Sequence, residues 1–229
     1  MSAGGSGTSP FGAVAVIWAP VRTLRRVAEG RRALPGFAVV AACASLSLVV
    51  STIFVLASVT RRSVLRQAGQ QPGLDPDTVA RVAEVGTLAS AALSPFVVWI
   101  VVSLLMQLAT RFFGGTGPLS AMLGVVGAAQ APLLVNVVLG AALTGLRFLA
   151  GATTPAGAAL GYLVSLVGLA FFLWYVVLVV VGAALARGIG YGESAASCAL
   201  SCVGLGILII LVVVVAAVGI FATVNAAAP

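Results

Sequence analysis

Five apolar runs dominate this chain, over about 34–60, 88–109, 119–146, 160–186 and 195–224. A helix needs roughly 20 apolar residues to cross a bilayer, and each run meets that length. In hydrocarbon every backbone N–H and C=O must be satisfied internally, so only helices and closed barrels span. Barrel strands are short and alternate in polarity, and these runs do not alternate. The fold class is therefore all-α: an integral membrane protein built as a five-transmembrane-helix bundle. Charge agrees, since 7% of the residues are charged, against roughly 25% in a soluble domain.

The links between runs are short, which makes sequential neighbours antiparallel. "RFFGGTGP" joins the second and third runs, with Pro118 placed for the first turn of the next helix. "RFLAGATTPAGA" joins the third and fourth, and "RGIGYGES" the fourth and fifth. The one long link is Arg61 to Thr87. Inside it Asp75 reads as an N-cap and Pro76 as the first helical residue, so the second helix begins before its membrane span.

Residues 1–33 form an N-terminal tail ahead of the transmembrane domain at 34–229. No signal peptide is read in its first seventeen residues, which carry no basic side chain before the short apolar run Phe11–Ala19. Val21, Leu24, Val27 and Ala28 recur at helical spacing, with Arg22, Arg25, Arg26 and Glu29 between them. This predicts a short basic amphipathic helix suited to the membrane interface. Arg22, Arg25, Arg26, Arg31 and Arg32 then face anionic headgroups, or serve only as a topology signal. Five spans put the termini on opposite sides. The N-terminal side carries seven arginines and the other five, a bias that favours a cytoplasmic N-terminus. The net charge of +7 belongs to this topology and to lipid, not to nucleic acid.

Chemistry is sparse. The chain has no histidine, the commonest general base and metal ligand. Its serines therefore lack a base, and no metal-ligand cluster or Walker loop is present. "GIGYGE" imitates a dinucleotide fingerprint, but its sixth position is Glu193 and no strand precedes it. Arg187 and Glu193 lie in one turn and are placed to pair locally. No catalytic residue, cofactor or metal is expected, and the chain reads as a non-enzyme. Cys43, Cys198 and Cys202 lie in apolar stretches and form no disulfide framework.

One polar cluster does interrupt a span. Gln130, Pro132 and Asn136 lie near the middle of the third run. Pro132 has no N–H to give the Ala128 carbonyl, which predicts a kink there. Two amides at a kink either line a cavity or join helices by hydrogen bonds. Ser94–Pro95 is a second kink candidate. Small residues repeat at four in Gly157, Gly161 and Ser165, and in Cys198, Cys202 and Gly206, a spacing that lets helix backbones approach.

Three segments in order carry a resemblance. "WAPVRTLRRVAEGRRALPGF" is similar to the start of bacterial Yip1-domain proteins. "FFGGTGPLSAMLGVVGAAQAPLLV" resembles that family's second-to-third span junction, and "LWYVVLVVVGAALARGIGYGESAA" its fourth-to-fifth junction. In the latter an aromatic pair leads through Leu178 and Gly182, a further packing position, to the turn. The resemblance implies a five-span bundle in the bacterial inner membrane with its N-terminus in the cytoplasm. It supplies architecture more than activity. The function expected is scaffolding or membrane organisation through lipid, a membrane-protein partner or a second copy of the chain. The alternative is a passive path for a small solute along the third span.

Overall fold

A computed structural model describes residues 15–57, 76–151 and 153–227. They form seven helices and no strand among the described residues. The helices are α1 (Pro20–Glu29), α2 (Leu34–Leu56), α3 (Pro76–Arg111), α4 (Leu119–Ala129), α5 (Ala131–Ala150), α6 (Pro155–Arg187) and α7 (Tyr191–Ala227).

Four stretches among the described residues are long and apolar enough to cross a membrane: Leu34–Leu56, Asp77–Arg111, Leu119–Ala150 and Pro155–Arg187. The fifth run of the sequence lies within α7, a helix of 37 residues. Most side chains of its second half lie outside the described residues. The helix α3 starts at Pro76, ahead of its apolar run, while the cap residue Asp75 lies outside the described residues.

The third span is the hub. Its most apolar stretch is 56% buried, whereas the other three spans reach only 11 to 22%. Outer helices turn large apolar side chains such as Ile53, Leu108, Leu166 and Ile207 outward, where lipid replaces water as the solvent. The hub packs by glycine. A Cβ on Gly36 of α2 would lie 2.6 Å from the Leu123 carbonyl and 2.7 Å from that of Gly124. One on Gly127 would lie 2.5 Å from the Gly36 Cα. Backbones of α2 and α4 therefore meet directly, a contact available only to residues without a side chain.

Helix ends follow local chemistry. Thr154 caps α6 by accepting a hydrogen bond from the Gly157 N–H at 3.0 Å, with Pro155 at the first helical position. That cap starts the helix five residues before the apolar run at 160–186. Gly188 ends it in the left-handed region at φ +67, its N–H reaching the Ala184 carbonyl. Glu193 then reaches back to the Gly190 N–H at 3.0 Å, closing a capping arrangement at the start of α7. "GIGYG" is thus a turn between two helices.

The third span is interrupted two residues before Pro132: α4 ends at Ala129, α5 starts at Ala131, and Gln130 lies between them. The Gln130 N–H bonds Gly127 at 3.1 Å and the Leu133 N–H bonds Gln130 at 2.8 Å. These tighter i to i−3 bonds replace the ladder that Pro132 cannot join.

Candidate functional site

The chemistry of this chain gathers at one end of the bundle. There the turn between α3 and α4 meets the end of α6 and the end of α1. Gly114 at φ +78 lets the chain double back after α3. Gly117 allows the turn to touch α6, because a Cβ there would lie 1.9 Å from the Ala186 carbonyl. The Thr116 N–H closes the contact by donating to the Arg187 carbonyl at 3.3 Å.

Arg187 turns inward at this junction and is only 3% exposed. Its Nε donates to Thr110 Oγ1 at 3.1 Å, and its two terminal nitrogens donate to the carbonyls of Gly117 and Gly115. Gln107 Nε2 also donates to the Gly117 carbonyl, at 3.3 Å. The planar guanidinium suits three acceptors spread over one turn and one helix. The local pair with Glu193 does not form, since Glu193 caps α7 instead. Arg187 was legible as the one charge between Arg147 and Glu193. Its burial was not legible, because it depends on a turn seventy residues away.

The N-terminal arginines stand on a fixed platform. Thr23, Leu24, Val27 and Ala28 of α1 are buried against α4 and α6. Of the apolar face expected at the membrane interface, Leu24, Val27 and Ala28 are therefore covered by protein, because the hub offers them a packed surface, whereas Val21 is exposed. Arg22, Arg25, Arg26, Arg31 and Arg32 remain exposed. A groove beside α1 is lined by Val21, Arg22, Arg25, Arg26 and Glu29.

The polar cluster of the third span is divided. Gln130 is 2% exposed and its Nε2 has no partner among the described residues. Its backbone carbonyl takes a weak bond from the Cys43 thiol at 3.7 Å. Pro132 is buried, whereas Asn136 is only partly covered.

A second polar seam escaped the sequence reading. Ser103, Gln107 and Thr110 on α3 are buried, as are Ser194, Ser197 and Ser201 on α7. Ser201 Oγ lies 3.3 Å from Met106 Sδ, joining the two helices. The signal was present in the spacings of four and three along α3, but serine and glutamine carry no charge to draw the eye.

The packing stripes are only partly used. Gly182 serves as expected, facing Val125 of α4, whose Cβ lies 3.0 Å from the position of an added Cβ. Gly157 is buried and Cys198 packs on the core. Gly161 meets the flexible end of Arg147 instead of a helix backbone. Ser165 and Cys202 are exposed, and Gly206 has nothing within 4 Å. A repeat of four marks one face of a helix, not which face has a neighbour.

Comparison with known proteins gives one result. The family model described as the Yip1 domain matches residues 14–221. No curated protein matches the chain, and neither does any solved structure.

Proposed function

The chain belongs to the Yip1 domain family, and on that premise we propose that it organises membrane through contacts, without catalysing a reaction. In this reading five spans carry the chain through a bacterial inner membrane, with the N-terminus in the cytoplasm and the C-terminus opposite. Anionic headgroups bind along α1, and a membrane-protein partner or a second copy of the chain binds the outer helices.

One observation carries the reading. The inner side of α1 is anchored, with Leu24 0% exposed and Val27 4% exposed. Its outward arginines are thereby held in a row instead of trailing on a free tail. Each basic residue near an anionic surface contributes about 1 kcal/mol, and a row adds these terms. A solute path along the third span has less support, because Gln130 and Pro132 are packed into the hub.

The test uses the full chain in nanodiscs of phosphatidylcholine mixed with phosphatidylglycerol. Arg22→Gln, Arg25→Gln and Arg26→Gln together should lower the phosphatidylglycerol retained through purification by about tenfold or more. Retention equal to the unaltered chain overturns the lipid-contact reading. Solute uptake into proteoliposomes that Asn136→Ala abolishes would favour the path instead.

A further inference from the structure

The end of the bundle holds a cleft of about 270 Å³ between α1, the turn after α3 and the end of α6. Glu29, Arg31, Thr116, Pro118, Leu185 and Gly188 line it. Arg187 also borders it, but its Nε and both terminal nitrogens are already engaged by Thr110, Gly115 and Gly117. Arg187 keeps its positive charge, since those acceptors are neutral; the side chains free to move toward a ligand are one acid, Glu29, and one base, Arg31. Both are exposed, and neither forms an ion pair among the described residues.

Arg31 has a feature of its own. It sits at φ +47, and no other non-glycine among the described residues has positive φ. A bulky side chain there costs on the order of 1 kcal/mol or more. A glycine stands directly before it, yet the left-handed position falls on the arginine.

The backbone adds a sign. The helices α1 and α6 both end at the cleft, and a helix C-terminus carries a partial negative charge. Together with Glu29 this favours an ammonium group. Arg31 and the Thr116 hydroxyl, which makes no hydrogen bond among the described residues, suit a phosphate. Apolar side chains stand close by in the chain: Leu34 is 70% exposed and Phe112 is 75% exposed.

We propose that this cleft takes the headgroup of an aminophospholipid, its phosphate at Arg31 and Thr116 and its ammonium at Glu29. The proposal deepens the lipid-contact reading and rests on it, but it concerns a separate set of residues from Arg22, Arg25 and Arg26. A purely anionic headgroup leaves Glu29 without an ammonium partner. A choline headgroup has no N–H to donate to it. A free phosphoethanolamine ester shares the chemistry, but lacks the acyl chains that hold a lipid in the bilayer.

The experiment reconstitutes the full chain in nanodiscs of phosphatidylcholine with equal parts of phosphatidylethanolamine and phosphatidylglycerol. Bound lipids are then counted by native mass spectrometry. Enrichment of phosphatidylethanolamine over phosphatidylglycerol is expected, falling about fivefold in Glu29→Gln and in Arg31→Gln. Both side chains are exposed, so both variants should fold, and a thermal unfolding curve checks this. Unchanged enrichment in both folded variants overturns the proposal, as does equal retention of the two lipids by the unaltered chain. Glycerophosphoethanolamine is added in a parallel arm. If it fails to displace the lipid, the membrane is the source of the ligand. If it displaces the lipid at comparable concentration, the headgroup site stands and the lipid assignment falls. The triple glutamine variant of α1 separates the two readings: it should reduce total phosphatidylglycerol while the enrichment at the cleft persists.

Discussion

Arg187 Nε donates to Thr110 Oγ1 at 3.1 Å, joining residues 77 positions apart. The same guanidinium holds the carbonyls of Gly115 and Gly117. One side chain thus ties the end of α6, the end of α3 and the turn into α4. The Thr110 hydroxyl in turn donates to the Met106 carbonyl at 2.7 Å, which leaves its lone pairs for Arg187. Carbonyls in a tight turn cannot be satisfied by a regular helix ladder. The arginine supplies what the turn lacks.

Arg187→Ala should therefore destabilise the bundle by about 1–3 kcal/mol, since it removes a donor from the buried Thr110 hydroxyl and from the part-buried carbonyls of Gly115 and Gly117. Arg187→Lys should recover only part of this loss, because a compact ammonium does not reach three spread acceptors in one plane. Thermal unfolding in detergent, followed by tryptophan fluorescence, reads the order: unaltered chain, lysine variant, alanine variant. A lysine variant as stable as the unaltered chain would show that charge alone suffices and that the fork geometry does not matter.

The glycine contacts make a sharper pair. Gly36→Ala and Gly127→Ala each force a Cβ to within 2.7 Å of facing backbone atoms. Backbone on both sides cannot swing away as a side chain end can, so a cost of about 1–3 kcal/mol or more is expected for each. Gly206→Ala has nothing within 4 Å to meet. It should be neutral or slightly stabilising, since alanine is the better helix former. The same unfolding assay on the three variants decides it, and a Gly206→Ala loss equal to that of Gly36→Ala would contradict the packing described.

These glycines also mark where sequence reading ran out. Four of the five expected spans and the short turns follow from chain chemistry that acts over a few residues, and they were legible; Pro118, read into the first turn of its helix, stands one residue earlier at the N-cap. Pro132 signalled an interruption, and the ladder fails two residues before it, at Gln130. Which small residues touch another backbone was not legible. Gly36, Gly124 and Gly127 form no single stripe of four, whereas Cys198, Cys202 and Gly206 do and largely face outward. Pairing depends on which helix lies opposite, and that is set by the whole bundle. The inward turn of Arg187 was hidden for the same reason, and so was the covering of α1.

Gln130 offers a test of a different kind. Its Nε2 is buried without a partner among the described residues, and an unmet donor in the core costs about 1–3 kcal/mol. Gln130→Met is close in volume and removes the donor. The Cys43 contact survives, because it uses the backbone carbonyl of residue 130. Unfolding at equal or higher temperature is expected for this variant. A loss of ~2 kcal/mol instead would mean that the amide has a ligand or ordered water in the membrane.

The last prediction concerns the chain beyond the four spans. Arg187 lies at the same end of the bundle as α1, and α7 leaves that end for 37 residues. At 1.5 Å per residue a helix of that length covers roughly 55 Å, well over the ~30 Å of a hydrocarbon core. A helix leaving the α1 side and crossing once ends on the opposite side. With the N-terminus in the cytoplasm, as proposed, a reporter there that is active only in the cytoplasm should work, and the same reporter at the C-terminus should not. A reporter active only outside should give the reverse pattern. Equal cytoplasmic activity at both ends would mean that α7 does not cross, and that the bundle has an even number of spans.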